Sequence, residues 1–181
     1  MRKNKFRKKL KKALDRLIKK DGEMIAANLA ERSICHRLGI YLYETFREFD
    51  VDCEYNGFEE NHRNRKIINI LRERIIELNR LTENDTDEEV LIRKVFPDII
   101  IHRRRTTDNL LVIETKKSTN NNQAEIDFDI EKLSRFTSNE NGNLLNYQYG
   151  LFVNFIVNDE PTYELTWFKN GHQISEDELF E

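Results

Sequence analysis

Cysteine is scarce in this chain, with only Cys35 and Cys53 among 181 residues. Two isolated cysteines are too few for the disulfide framework of a small secreted domain, and no CxxC spacing is present. The histidines at positions 62, 102 and 172 lack metal-ligand spacing, and the chain has no HNH arrangement, zinc pattern or P-loop. These absences exclude a disulfide-stapled scaffold, a zinc enzyme of a familiar type and a P-loop phosphotransferase.

Long apolar runs are also missing. No run approaches the roughly 18 residues that a membrane span requires, and the basic start lacks the apolar segment of a signal peptide. We therefore expect a cytoplasmic protein in a reducing environment. The length suits a single globular domain, which at this size buries most of its apolar surface without disulfides.

Charge is plentiful but unevenly distributed. Residues 1–20 contain eleven Lys or Arg and one acid, Asp15, whereas the whole chain has 30 basic and 33 acidic residues. A basic segment on an acidic body suggests a polyanionic partner, either nucleic acid or a membrane surface. A solvated helix face explains the same charge pattern.

Hydrophobic periodicity predicts a mixed α/β fold. Apolar residues recur at helical spacing in three helices before the central strands, and Asp21-Gly22 is read as the end of the first. The predicted helices are 3–20, 23–46, 64–81 and 124–136, and the predicted strands are 51–55, 97–102, 110–116, 149–158 and 162–168. This order indicates a central mixed sheet flanked by helices. We divide the chain into a basic amphipathic helix (1–22) and a main domain (23–181) with a helical insertion (61–95).

Two predicted strands carry charged residues at their ends. Asp98 opens the apolar run Ile99–Ile101, while Glu114 and Lys116 close the run Leu110–Ile113. Residues two apart in a strand share a face, so a register that pairs Ile100 with Glu114 brings Asp98 opposite Lys116. A slip of one residue would separate these groups. Carboxylates that converge in this way are suitable ligands for Mg²⁺, although surface residues at two strand ends produce the same short pattern.

The residues Pro97-Asp98 and Glu114-Thr115-Lys116 resemble the motif of the PD-(D/E)XK nuclease superfamily, which has the restriction-endonuclease-like fold. The resemblance implies an αβββαβ core and a Mg²⁺-dependent nuclease, with Mn²⁺ as a plausible substitute. Asp98, Glu114 and the backbone carbonyl of Thr115 would then be metal ligands, and Lys116 the catalytic lysine. Many members add a glutamate from the helix before the first strand.

Glu31 matches that additional glutamate. It interrupts the apolar stripe of the second predicted helix, where a lone buried carboxylate would be costly, so we expect it to reach the metal, directly or through water. A structural ion pair is the alternative interpretation.

Several basic residues are candidates for nucleic-acid contacts. They lie on the first helix, in the Arg103–Arg105 loop and on the helix after the motif: Lys8, Lys9, Lys12, Arg103, Arg104 and Lys132. The arginines could instead keep the loop solvated, and we expect Gln123, Asp129 and Lys132 to lie on a solvated helix face.

The sequence thus predicts a metal-dependent deoxyribonuclease. A homodimer is a reasonable expectation for such an enzyme. A role in restriction, anti-phage defence or DNA repair follows from analogy alone. Three alternatives stay open. They are an RNA-cleaving nuclease, a nucleic-acid-binding module without catalysis, and an interaction protein whose basic helix packs on a partner.

Overall fold

The computed structural model describes residues 2–55, 57 and 66–180, with the side chain of Phe180 excluded. Within these residues the chain forms five α-helices, eight strands and one 3-10 turn at Glu140–Gly142. The helices are α1 (Lys3–Ala26), α2 (Glu31–Thr45), α3 (Arg72–Glu77), α4 (Gln123–Thr137) and α5 (Glu176–Phe180). The strands are β1 (Asp50–Cys53), β2 (Ile67–Leu71), β3 (Val90–Lys94), β4 (Ile99–His102), β5 (Asn109–Lys117), β6 (Tyr149–Ile156), β7 (Thr162–Lys169) and β8 (His172–Ile174).

A six-stranded mixed sheet forms the centre of the fold, in the order β1-β4-β5-β6-β7-β8. All neighbouring strands are antiparallel except β5 and β6, which are parallel and are joined through α4. A parallel pair needs such a crossover because the chain must return to the same end of the sheet. The mixed α/β class predicted from the hydrophobic pattern is therefore confirmed.

Each face of the sheet carries its own hydrophobic core, because alternate residues of a strand point to opposite sides. Ile99 and Ile101 of β4 pack with residues of α1 and α2, whereas Ile100 packs with Leu133 and Phe136 of α4. The small β2–β3 sheet contributes Ile68, Ile70 and Leu91 to the α4 side. The sheet is thus covered on both faces, as the apolar runs in β4 and β5 predicted.

Helix α1 is longer than predicted, because Asp21-Gly22 only bends it. Asp21 has a non-helical φ of −130° inside the helix, where its carboxylate accepts hydrogen bonds from Arg37 and Tyr41 of α2. The helix ends at Ala26, and Asn28, two residues further on, has a φ of 54°. The amides of Asn28 and Leu29 donate to the carbonyls of Ile25 and Met24, a Schellman cap that asparagine can adopt. The prediction that a second helix starts at residue 23 is therefore wrong.

The insertion is not simply helical. The helix predicted over 64–81 is wrong at Ile67–Leu71, which forms strand β2 and pairs with β3; residues 61–65 lie outside the described residues. Ile68 and Ile70 are buried while Ile67 is exposed, an alternation typical of a strand. The apolar residues from Ile67 to Leu78 also fit helical spacing, which is why a helix was predicted. Residues 67–71 form a strand because they pair with β3, which is distant in sequence.

The remaining boundaries of the central elements agree with the predictions to within a few residues. Strands β3 and β8 and helix α5 were not predicted, since all three are short. The division of the chain at residue 22 stays a prediction. Among the helices of the described residues, none combines the length and the apolar character needed to cross a bilayer.

The apolar face of α1 belongs to the core, since Leu14 is fully buried there. We expect Leu14→Ala to lower the free energy of unfolding by about 2–5 kcal/mol, the usual cost of a cavity. Urea unfolding measures this loss. Lys12→Ala, on the exposed face of the same helix, should change stability by less than about 0.5 kcal/mol. Equal small effects in both variants would show that α1 contributes no core.

Candidate functional site

The register of β4 against β5 brings the two motif carboxylates next to each other. Ile99 pairs with Ile113 and Ile100 with Val112, so one residue further along Asp98 stands opposite Glu114. The register that pairs Ile100 with Glu114 is therefore wrong by two residues. Across these two strands Asp98 therefore stands opposite Glu114 and not opposite Lys116.

Asp98 is held by hydrogen bonds from β5, the strand that carries Glu114. Its Oδ2 accepts hydrogen bonds from the Thr115 amide at 2.8 Å and from Thr115 Oγ1 at 2.9 Å. On its backbone, the Asp98 carbonyl accepts from the Glu54 amide at 3.0 Å and from Cys35 Sγ at 3.6 Å. These four contacts fix the residue between α2, β1 and β5.

Glu114 is a carboxylate inside the fold, with only 1% of its surface exposed. Its Oε2 pairs with Lys132 Nζ of α4 at 2.9 Å. Its other oxygen, Oε1, has no hydrogen-bond partner within the described residues. Buried polar atoms are normally satisfied, so this oxygen lacks the partner that such an atom usually has.

Lys116 lies between two carboxylates from different helices. Its Nζ is 2.6 Å from Asp129 Oδ2 on α4 and 3.4 Å from Glu31 Oε1 at the start of α2. Glu31 Oε2 also accepts from the Lys117 amide at 3.2 Å. The second oxygen of Asp129 pairs with Lys132 Nζ at 2.6 Å. Asp129 therefore bridges the two lysines.

Burial and charge act against each other in this cluster. Burial raises the pKa of Glu114 well above its usual range despite the opposing attraction of Lys132, and it raises the pKa of Glu31 against the attraction of Lys116. Burial would lower the pKa of Lys116, but Asp129 and Glu31 outweigh it and the pKa is raised. The pKa of Lys132 is raised for the same reason, by Glu114 and Asp129. Both lysines are accordingly ammonium ions at neutral pH.

A cleft of about 730 Å³ opens beside the cluster. Glu31, Asp98 and Thr115 line it, whereas Glu114 and Lys116 are not among its lining residues. The lining is completed by residues from α2, β1 and the segment before β4: Arg32, Cys35, His36, Cys53, Glu54 and Phe96. A molecule in the cleft would meet Glu31 and Asp98 first.

The structure brings together Glu31, Asp98, Thr115, Glu114 and Lys116, as the motif and the interrupted apolar stripe indicated. Lys132 joins them through its ion pairs with Glu114 and Asp129.

The candidates in the arginine loop lie elsewhere and are already paired. Arg103 Nε donates to Asp108 at 2.9 Å, and Arg104 donates to Asp52 of β1. These acids neutralise both guanidinium groups, which favours the interpretation that the loop arginines serve the fold.

The three candidate lysines of α1 lie far from the cluster. Lys9 pairs with Glu48, just beyond the end of α2, whereas Glu31 begins that helix. A 15-residue helix is about 20 Å long, so roughly this distance separates Lys9 from Glu31. Lys8 and Lys12 are exposed beside Lys9.

The expectation of a solvated face is wrong for Asp129 and Lys132, which are both buried, and correct for Gln123, which is exposed. A sequence signal was present, because residues 129, 132, 133 and 136 follow helical spacing and the last two are the apolar Leu133 and Phe136. Two charged residues on the apolar stripe of a helix indicate internal partners.

The donor set of Asp98, Glu114 and the Thr115 carbonyl consists of oxygen atoms, which suits Mg²⁺, and the unpaired Glu114 Oε1 fits such a role. Within the described part of the chain, no group of three or more His, Cys, Asp or Glu side chains is arranged to hold a metal. Comparison of the chain with protein-family models, curated proteins and solved structures finds no match.

Replacement of Lys132 by methionine leaves the Glu114 carboxylate buried without its cation. We expect Lys132→Met to lose about 3–5 kcal/mol of stability at pH 7, the usual cost of half a buried ion pair. Because burial raises the pKa of Glu114, the loss should shrink as the pH falls and this carboxylate takes up a proton. The double variant Lys132→Met/Glu114→Gln should recover part of the loss. Urea unfolding at pH 7 and pH 5 measures the stability of wild type, the single variant and the double variant. A loss of stability that does not depend on pH would contradict the ion pair between Glu114 and Lys132.

Asp52 should contribute to stability against acid. Burial opposes its ionisation, but hydrogen bonds with His102 and Arg104 lower its pKa from 3.8 to about 2. A depressed carboxylate pKa stabilises the fold above pH 3.8, and this contribution is lost as the pH falls through about 2. We expect it to amount to about 1 kcal/mol after solvent screening. Asp52→Asn should therefore be less stable than wild type at pH 6 but not at pH 2, whereas exposed Asp159→Asn should match wild type at both.

Proposed function

We propose that this protein is a Mg²⁺-dependent nuclease of the PD-(D/E)XK type that hydrolyses phosphodiester bonds of DNA. The observation that carries the proposal is the adjacency of Asp98, just before β4, and Glu114 on β5, with Lys116 and Glu31 at the same end of the sheet. The order of α2, β1, β4, β5, α4 and β6 agrees with an αβββαβ core, with β2, α3 and β3 as an insertion.

The charge of the cluster supports a divalent cation as the missing partner. Four carboxylates, when ionised, face two ammonium groups, which leaves two negative charges uncompensated. In this proposal Asp98, Glu114 and the Thr115 carbonyl hold Mg²⁺, with Glu114 using its unpaired Oε1. When bound, the cation supplies polarisation of the phosphate and compensation of the negative charge that develops on it.

Lys116 acts in this proposal as a fixed positive charge. Its raised pKa keeps Nζ protonated, so it stabilises negative charge on the reacting phosphate rather than accepting a proton. Asp129 and Glu31 hold the ammonium group from two sides. This positions Nζ beside the cleft wall formed by Glu31 and Asp98.

A binding module without catalysis is the second candidate. It is favoured by the occupation of Glu114 and Asp129 by Lys132, which makes the cluster self-neutralising in part. The exposed lysines of α1 could then contact phosphates of nucleic acid with no cut.

The proposal is tested by incubating plasmid DNA, single-stranded DNA and RNA with the protein and Mg²⁺ or Mn²⁺. We expect cleavage of DNA that EDTA abolishes. Asp98→Asn and Lys116→Met should each lower the rate by about 10²–10³-fold, the usual effect of removing one group that stabilises the transition state. Lys94→Met on β3 and Asp159→Asn are exposed controls that should cleave like wild type.

Binding should separate the two candidates. Calorimetry should detect Mg²⁺ binding to the wild type that is weaker in Asp98→Asn. Salt-dependent DNA binding with no cleavage by either metal would support the binding module instead, and cleavage of RNA alone would identify a ribonuclease. Cleavage that survives both site substitutions would refute the site.

A further inference from the structure

The two cysteines of the chain meet in the cleft, although they are 18 positions apart in sequence. Cys35 lies on α2 and is buried, whereas Cys53 ends β1 and is exposed. Helix α2 packs against β1, so the pair spans the contact between these two elements. Neither thiol has a part in the proposed hydrolysis.

The surface of α2 is shaped to receive the Cys53 sulfur. A Cβ atom at Gly39 would stand only 2.6 Å from Cys53 Sγ, so the thiol occupies space that any other residue at position 39 would fill. Cys35 precedes Gly39 by four residues and therefore lies on the same face, one turn away. Both residues line the same cleft, and each thiol shifts the pKa of the other.

We propose that Cys35 and Cys53 form a redox-active thiol pair, which a small disulfide such as oxidised glutathione converts into an intramolecular disulfide bond. The exposed Cys53 thiolate attacks one sulfur of the small disulfide, forming a mixed disulfide and releasing one thiol. Cys35 Sγ then attacks the Cys53 sulfur, loses its proton and expels the second thiol. Two cysteines are oxidised by two electrons, and one small disulfide is reduced to two thiols.

The bond would act directly on the wall of the candidate site. Cys35 Sγ is the donor to the Asp98 carbonyl at 3.6 Å, and oxidation removes that donor. The crosslink also joins α2, which begins with Glu31, to β1, which pairs with β4. Oxidation would therefore fix the two sides of the cleft to each other. The thiol chemistry itself requires no nuclease activity.

The test is incubation of the folded, full-length protein with oxidised glutathione, followed by intact-mass measurement, free-thiol counting and peptide mapping without reductant. We expect the wild type to lose both free thiols, to lose the mass of two hydrogen atoms and to yield a peptide that joins Cys35 to Cys53. Reduction should restore both thiols.

Single variants provide the matched controls. Cys35→Ser should accumulate a glutathione adduct on Cys53, because the second step has no nucleophile. Cys53→Ser should stay largely unmodified, because Cys35 is buried. Gly39→Ala should slow disulfide formation several-fold by displacing the Cys53 sulfur. A wild type that accumulates the adduct as Cys35→Ser does, that stays unmodified, or that forms disulfides only between chains would overturn the proposal.

Discussion

The Glu114 carboxylate stands in the middle of this fold, on a strand whose preceding residues are buried on both faces. Burial of an ionised group is costly unless it is paired, and Lys132 of α4 supplies the pairing charge. That single contact requires α4 to lie across β5 with one register, and through Asp129 it also sets the position of Lys116. The position of α4 on the sheet and the arrangement of the charged residues therefore depend on the same contact.

The parallel pair of β5 and β6 makes this arrangement possible. The crossover from β5 to β6 runs through α4, so this helix begins beyond the end of β5 where the charged residues lie. On the opposite face of the sheet, α2 begins at that same end and contributes Glu31. Charged groups from two helices and two strands thus meet where the buried sheet reaches solvent, and the cleft opens on that side.

Helix α1 has an apolar face that packs in the core and a basic face that is exposed. Its apolar face completes the core beneath α2, and its kink at Asp21 is bound to α2 through Arg37 and Tyr41. Its basic face stays outside, and its first turns lie near the far end of α2 from Glu31. The basic residues of α1 therefore stand on a helix whose other face is buried, which makes the positive surface a fixed feature of the molecule.

The sequence alone was sufficient for properties that depend on near neighbours. Apolar runs located β4 and β5, helical spacing located the buried face of α1, and polar residues at the strand ends located Asp98, Glu114 and Lys116. The tertiary structure alone decided the register of β4 on β5, the strand identity of Ile67–Leu71 and the burial of Asp129 and Lys132. Each of these depends on a partner distant in sequence, whose position local periodicity does not encode.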